Sequence, residues 1–174
     1  MLDKFKKAFV LLVIGAFSGF TIWGVNELTF QKIADNQQLK EEGFYKDIFE
    51  LDSDIEIEFS KAEAGDLEEV TVTLKSDGSL VGYIYKGSEK NNYGSISVLV
   101  GISNDTVSNV IISTSTNTPN FVKKIEKNNL TPFMGQDTTD VTYDTKTGAS
   151  YTYGSVSNIV TQAVEYYNTE RGAN

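Results

Sequence analysis

The chain has 174 residues, 40% of them hydrophobic and 11% aromatic, which is enough for one domain with its own core. It contains no cysteine and no histidine, so a disulfide framework, a thiolate metal site, a catalytic thiol and a Ser-His-Asp triad made by this chain alone are excluded. A formal net charge of −9 repels phosphate backbones and argues against nucleic-acid binding.

The first element in chain order is an apolar helix. From Ala8 to Val25 no residue is charged, Lys4, Lys6 and Lys7 precede the stretch, and Trp23 stands at its far end. The pattern predicts a single-pass anchor over residues 1–25, with the N-terminus in the cytoplasm and the rest of the chain outside the cell membrane, so the lipid bilayer is the first partner. A cleaved signal peptide is the alternative, since Gly15, Ala16, Ser18 and Gly19 are small. Residues 26–52 read as a continuing helix, or two short ones, that connects anchor and domain. Tyr45, Ile48, Phe49 and Leu51 give it a partial apolar face.

The remaining residues, 53–174, read as the main domain. Ile55 to Phe59 alternates with a strand period. Val70–Leu74 and Leu80–Tyr85 flank a Ser-Asp-Gly-Ser turn, a hairpin signal. The runs "SISVLVGI" and "VSNVIIS" repeat the pattern around Asn104-Asp105. Val156, Ile159, Val160, Ala163, Val164 and Tyr167 then form one helical stripe at the C-terminus. The expected fold class is α+β: a transmembrane helix, then one extracytoplasmic domain with a mostly antiparallel sheet and packed helices.

Hydroxyls concentrate just before that last helix, in Asp144-Thr145-Lys146-Thr147-Gly148-Ala149-Ser150. Taken by themselves, these residues have two readings. Ser150 or Thr152 caps the first helical turn. Alternatively the helix N-terminus receives a phosphate, free or esterified to a serine hydroxyl.

The stretch resembles the flavinylation motif of the RnfG/NqrC family of FMN-binding domains: Asp, two variable residues, Ser or Thr, Gly, Ala, then Thr or Ser. The resemblance continues elsewhere. Leu28-Thr29 and Ile33 to Asn36 follow the anchor, Asn92-Tyr93-Gly94-Ser95 precedes "ISVLVGI", and Asn117-Thr118-Pro119-Asn120-Phe121-Val122 stands where the family has Glu-Thr-Pro-Gly-Leu-Gly. Asn117 thus replaces an acid, and Asn120 and Val122 replace glycines.

The resemblance implies covalent FMN, joined through its phosphate to Ser150 by a separate flavin transferase that uses FAD. Asp144, Thr147, Gly148 and Ala149 would shape the turn beside the phosphate. Tyr93, Asn117, Thr118 and Phe121 would contact the flavin, although by themselves Tyr93 and Phe121 read equally as core, and Asn117 and Thr118 as turn residues. No metal site and no catalytic residue is expected. The implied role is an RnfG-like electron carrier in an Rnf-type complex that couples electron flow between ferredoxin and NAD to ion movement. Its partners would be the other membrane subunits of that complex. A stand-alone surface flavoprotein and a cofactor-free anchored scaffold are the alternatives.

Overall fold

The computed structural model describes residues 2–142 and 149–172. Its first helix, α1, runs unbroken from Leu2 to Ile48. No proline interrupts the chain before Pro119, so the connector continues the anchor's helix instead of dividing in two. Lys4–Glu27 within α1 is apolar and long enough to cross a membrane, with a mean hydropathy of 2.1. By length and composition this segment is a membrane anchor or a signal sequence.

The chain divides into two compact units, Met1–Glu41 and Glu42–Asn174. The boundary expected at residue 53 and this division differ by the last turns of α1. Those turns pack into the second unit because Tyr45 and Ile48 are fully buried against its sheet. Burying each such side chain contributes about 1.5–3 kcal/mol.

The second unit is built on five antiparallel strands in sequential order: β1 (Ile57–Ala64), β2 (Leu67–Leu74), β3 (Leu80–Asn91), β4 (Gly94–Ser103) and β5 (Thr106–Ser115). The α+β expectation holds, and so does each hairpin read from the sequence. Asn104 and Asp105 both take positive φ, 50° and 57°, as a two-residue β4–β5 turn requires. Gly78, at φ 73°, closes the β2–β3 turn, where the Ser79 amide donates to Asp77 and holds that carboxyl below the usual range.

The first strand begins later than the alternation suggests and runs further. Glu50 at φ 51° ends α1, and the Ile55 amide still bonds to Asp52 in the following turn. The strand then carries Lys61-Ala62-Glu63, poor strand formers, because β2 pairs with them along its whole length.

Both faces of the sheet are covered. On one lie α2 (Pro119–Asn128), a single 3-10 turn at Thr131–Phe133 and α3 (Ser150–Arg171), packed on Tyr85, Ile96, Val98, Val100 and Ile102. The predicted stripe on α3 is buried at all six positions. On the other face the end of α1 packs on Val70, Val72, Ile84 and Leu99. Sequence patterning did not anticipate α2. Thr118-Pro119 is nevertheless a helix-start signal, with proline at the first position and Ile125 as the buried anchor.

The end of α1 sits so close to β4 that a Cβ at Gly101 would run into the Ile48 side chain. Gly101→Val should therefore destabilise the domain by about 1–3 kcal/mol, the usual cost of overpacking. Ile48→Ala in the same chain should recover part of the loss, as a double-mutant cycle of thermal melts would read. Strict additivity would contradict this packing.

The far end of α3 is locked to the sheet by charge. Arg171 donates two hydrogen bonds to buried Glu69, at 2.7 and 2.8 Å, and lies 4.0 Å from the Tyr83 ring centroid. Tyr85 donates to the same carboxylate. Burial, then the Glu69 charge, pushes the Tyr85 phenol far above its ordinary range, so it remains a donor at any physiological pH.

Candidate functional site

Three segments distant in sequence meet at the start of α3. They are the β3–β4 turn at Asn91–Gly94, the chain leaving β5 at Ser115–Thr118, and the first turns of α3. Asn91 organises the meeting. Its Oδ1 accepts from the Tyr93 amide at 2.9 Å, a local turn bond that asparagine favours. Its Nδ2 donates to Ser155 Oγ at 3.0 Å. Glu89 completes this side, accepting from Ser155 and from Asn158.

Asn117 is the central residue. It is 4% exposed. Its Nδ2 donates to Asn91 Oδ1 at 3.2 Å and to Thr152 Oγ1 at 3.0 Å. The amide orientation follows from chemistry. A backbone N–H can only donate, so Tyr93 fixes which end of Asn91 is oxygen. That oxygen in turn requires the nitrogen end of Asn117. Asn117 Oδ1 is left over, buried and without a hydrogen-bond partner. Leaving such an acceptor unpaired costs about 1–3 kcal/mol.

Neither Ser150 nor Thr152 is the N-cap of α3. The N-cap is Ala149, 6% exposed, whose own side chain makes no capping bond. Thr152 lies inside the helix, fully buried and bonded to Asn117, and Ser155 is buried among Glu89 and Asn91. Ser150 is the first helical residue and is exposed. The first amides of a helix have no partner within it, and the helix dipole places partial positive charge there. Asp144, Thr147 and Gly148, the other predicted turn residues, lie outside the described residues.

An aromatic row lies next to this helix start. Tyr93, at the tip of the β3–β4 turn, is 45% exposed and meets Phe121 of α2 edge-on, with centroids 5.5 Å apart. On its other side Tyr151, 58% exposed, meets it at 5.8 Å. Tyr93 is therefore not a core residue, and Phe121 is only partly buried. Thr118 is exposed at the N-cap of α2 and makes no side-chain capping bond. Of the four predicted flavin contacts, Tyr93, Asn117 and Phe121 are thus gathered around the start of α3, and Thr118 adjoins them. Tyr151 and Asn91 join the group without having been singled out, and Thr152, read from the sequence as a cap candidate, joins it as the partner of Asn117. The position of Tyr151 directly after Ser150 is the only sequence signal for either Tyr151 or Asn91.

A groove of about 300 Å³ opens between the end of β5 and α2, lined in part by Ser113, Ser115, Asn117, Pro119 and Lys123. Val122, standing where the resembled pattern has glycine, also lines it. Among the described residues no group of His, Cys, Asp and Glu is arranged to hold a metal ion.

Comparison with curated proteins gives no match. Residues 92–165, which hold Tyr93, Asn117, α2 and most of α3, match the family model of the FMN-binding domain, and this supports an FMN-binding domain over that part of the chain.

Proposed function

We propose that this chain is a membrane-anchored electron carrier that holds FMN covalently through Ser150, as the RnfG-like member of an Rnf-type complex. The observation that carries the reading is the placement of Ser150. It is the exposed opening residue of a helix of 22 residues, inside the sequence motif for flavin attachment and within the segment that matches the FMN-binding model.

The residues present suit the group. Ser150 supplies the hydroxyl for a phosphoester, and the dipole of α3 favours a phosphate there. Tyr93, Tyr151 and Phe121 offer exposed aromatic surface to a planar ring. Asn117 offers a buried acceptor. Asp144, Thr147 and Gly148 complete the motif in sequence. Bound FMN would supply the redox chemistry, and the chain would supply attachment and orientation. That division explains how a chain without histidine or cysteine serves electron transfer.

The topology follows from the lysines before α1's apolar segment and Trp23 at its far end. Ser76→Cys, at an exposed turn position, should be labelled by an impermeant thiol reagent in intact cells. Labelling only after lysis would reverse the orientation, and a mature chain starting near Asn26 would establish a signal peptide. For complex membership, the detergent-solubilised full chain should co-purify with polytopic membrane subunits. Recovery of the flavin-bearing chain alone would favour a stand-alone carrier.

A further inference from the structure

The unpaired oxygen of Asn117 asks for a donor, and its position limits which one. The geometry points to Asn117 Oδ1 as the acceptor for a hydroxyl of the ligand's polyol chain, the ribityl chain of the flavin; this rests on the flavin reading above. Three observations lead there.

The first is that the oxygen cannot be turned away. Both Nδ2 protons are used, on Asn91 Oδ1 and Thr152 Oγ1, and Asn91 is itself held by the Tyr93 amide and by Ser155. Rotating the Asn117 amide would set two carbonyl oxygens against each other. The acceptor is therefore preorganised, and its partner must come from outside this network.

The second is the chemistry of a phosphodiester. A phosphate esterified to Ser150 presents only acceptor oxygens at neutral pH, so it cannot satisfy Asn117. The donor belongs to a part of the ligand that bears O–H or N–H groups.

The third is proximity. Asn117 is bonded to Thr152, two residues beyond Ser150 and in the first turn of α3. The part of an FMN chain next to its phosphate is the polyol, and the ring lies at the far end. The hydroxyl-bearing walls of the adjoining groove, Ser113 and Ser115, suit the same chain. Asn117 is thus a positioning residue that fixes how the tethered group leaves α3, and the aromatic row is left to the ring.

The test uses full-length protein in detergent, co-expressed with a flavin transferase, in wild-type, Asn117→Leu and Asn117→Asp forms. Intact mass reads attachment, fluorescence anisotropy reads how firmly the tethered flavin is held, and the visible spectrum with the midpoint potential reads the ring's surroundings. The expected result is full attachment in all three, anisotropy lost toward that of a freely rotating tether in Asn117→Leu, and an intermediate anisotropy in Asn117→Asp, which keeps an acceptor but sets a carboxylate oxygen against Asn91 Oδ1. Spectrum and potential should stay as in wild type. If Asn117→Leu has no cooperative melt, Asn117→Ala makes the same comparison without added bulk. Attachment with unchanged anisotropy in the apolar variant would overturn the proposal and leave the flavin reading standing. A shift in potential would move the contact to the ring and overturn it as well. A wild-type chain without any flavin adduct would remove both.

Discussion

Ser150→Ala is expected to abolish covalent flavin while the domain keeps its fold. Ser150, Thr152 and Ser155 all stand in the opening turns of α3, but they are not equivalent. Thr152 is fully buried and holds Asn117, and Ser155 is 2% exposed and engaged with Asn91 and Glu89. Only Ser150 is exposed and follows Gly148-Ala149 at the motif's spacing. Thr152→Ala and Ser155→Ala should therefore retain the flavin, each losing about 1 kcal/mol of stability with its hydrogen bonds. Ser150→Ala should leave the fold intact, within about 0.5 kcal/mol, because Ser150 is exposed and is not the N-cap of α3. Ser150→Thr should keep or improve attachment. In-gel flavin fluorescence after denaturation, beside a thermal melt of each variant, separates chemistry from folding. Fluorescence persisting in Ser150→Ala would move the attachment to another residue.

Arg171→Met should be the most destabilising change near the C-terminus. It strips the partner from Glu69, a carboxylate whose side chain is 7% exposed between β2 and α3. An unpaired buried charge costs about 3 kcal/mol or more, which for a domain of this size lowers the melting temperature by roughly 10 °C. The Tyr85 hydroxyl, which also donates to Glu69, softens the loss without replacing the two guanidinium bonds. Arg171→Lys should recover only part, because an ammonium cannot pair with both oxygens in one plane or stack on Tyr83 in the same way. Glu69→Gln together with Arg171→Met should be milder than Arg171→Met alone. An unchanged melt in the single variant would mean that the pair is solvated and contributes nothing.

These outcomes rest on features that differed in how far the sequence displayed them. The strands and α3 were legible because period-2 and period-3.6 patterns are local: Val156 through Tyr167 declare a helix face, and Asn104-Asp105 declares a turn. The start of β1 was not. Ile55 alternates correctly, but its amide is taken up in the turn that follows Glu50, and Glu56 meets the end of β2 only through its carbonyl, which accepts from the Lys75 amide. α2 was missed because its apolar face is short, essentially Phe121, Val122 and Ile125, though Pro119 marked its beginning.

The site divides in the same way. Ser150 lies in a contiguous motif and could be found by resemblance. Asn91, Ser155 and Glu89 could not, because their bonds span 64 to 66 residues and come into being only when α3 settles on β3. The leftover oxygen of Asn117 is invisible in sequence for a related reason. It follows from the orientation of a neighbouring amide, itself set by the backbone at Tyr93. Capping by Ser150 or Thr152, a sound local expectation, gave way because Thr152 is drawn into the Asn117 network.

The function proposed for this chain depends on a flavin phosphate bonded to it at Ser150. Intact-mass analysis of the full-length protein co-expressed with a flavin transferase, followed by fragmentation of the peptide that spans Asp144 to Tyr151, tests it most directly. The expected result is a mass gain equal to one FMN less one water, carried by Ser150. An unmodified mass despite a transferase that modifies a known acceptor in the same cells, or an adduct on any other residue, would contradict it.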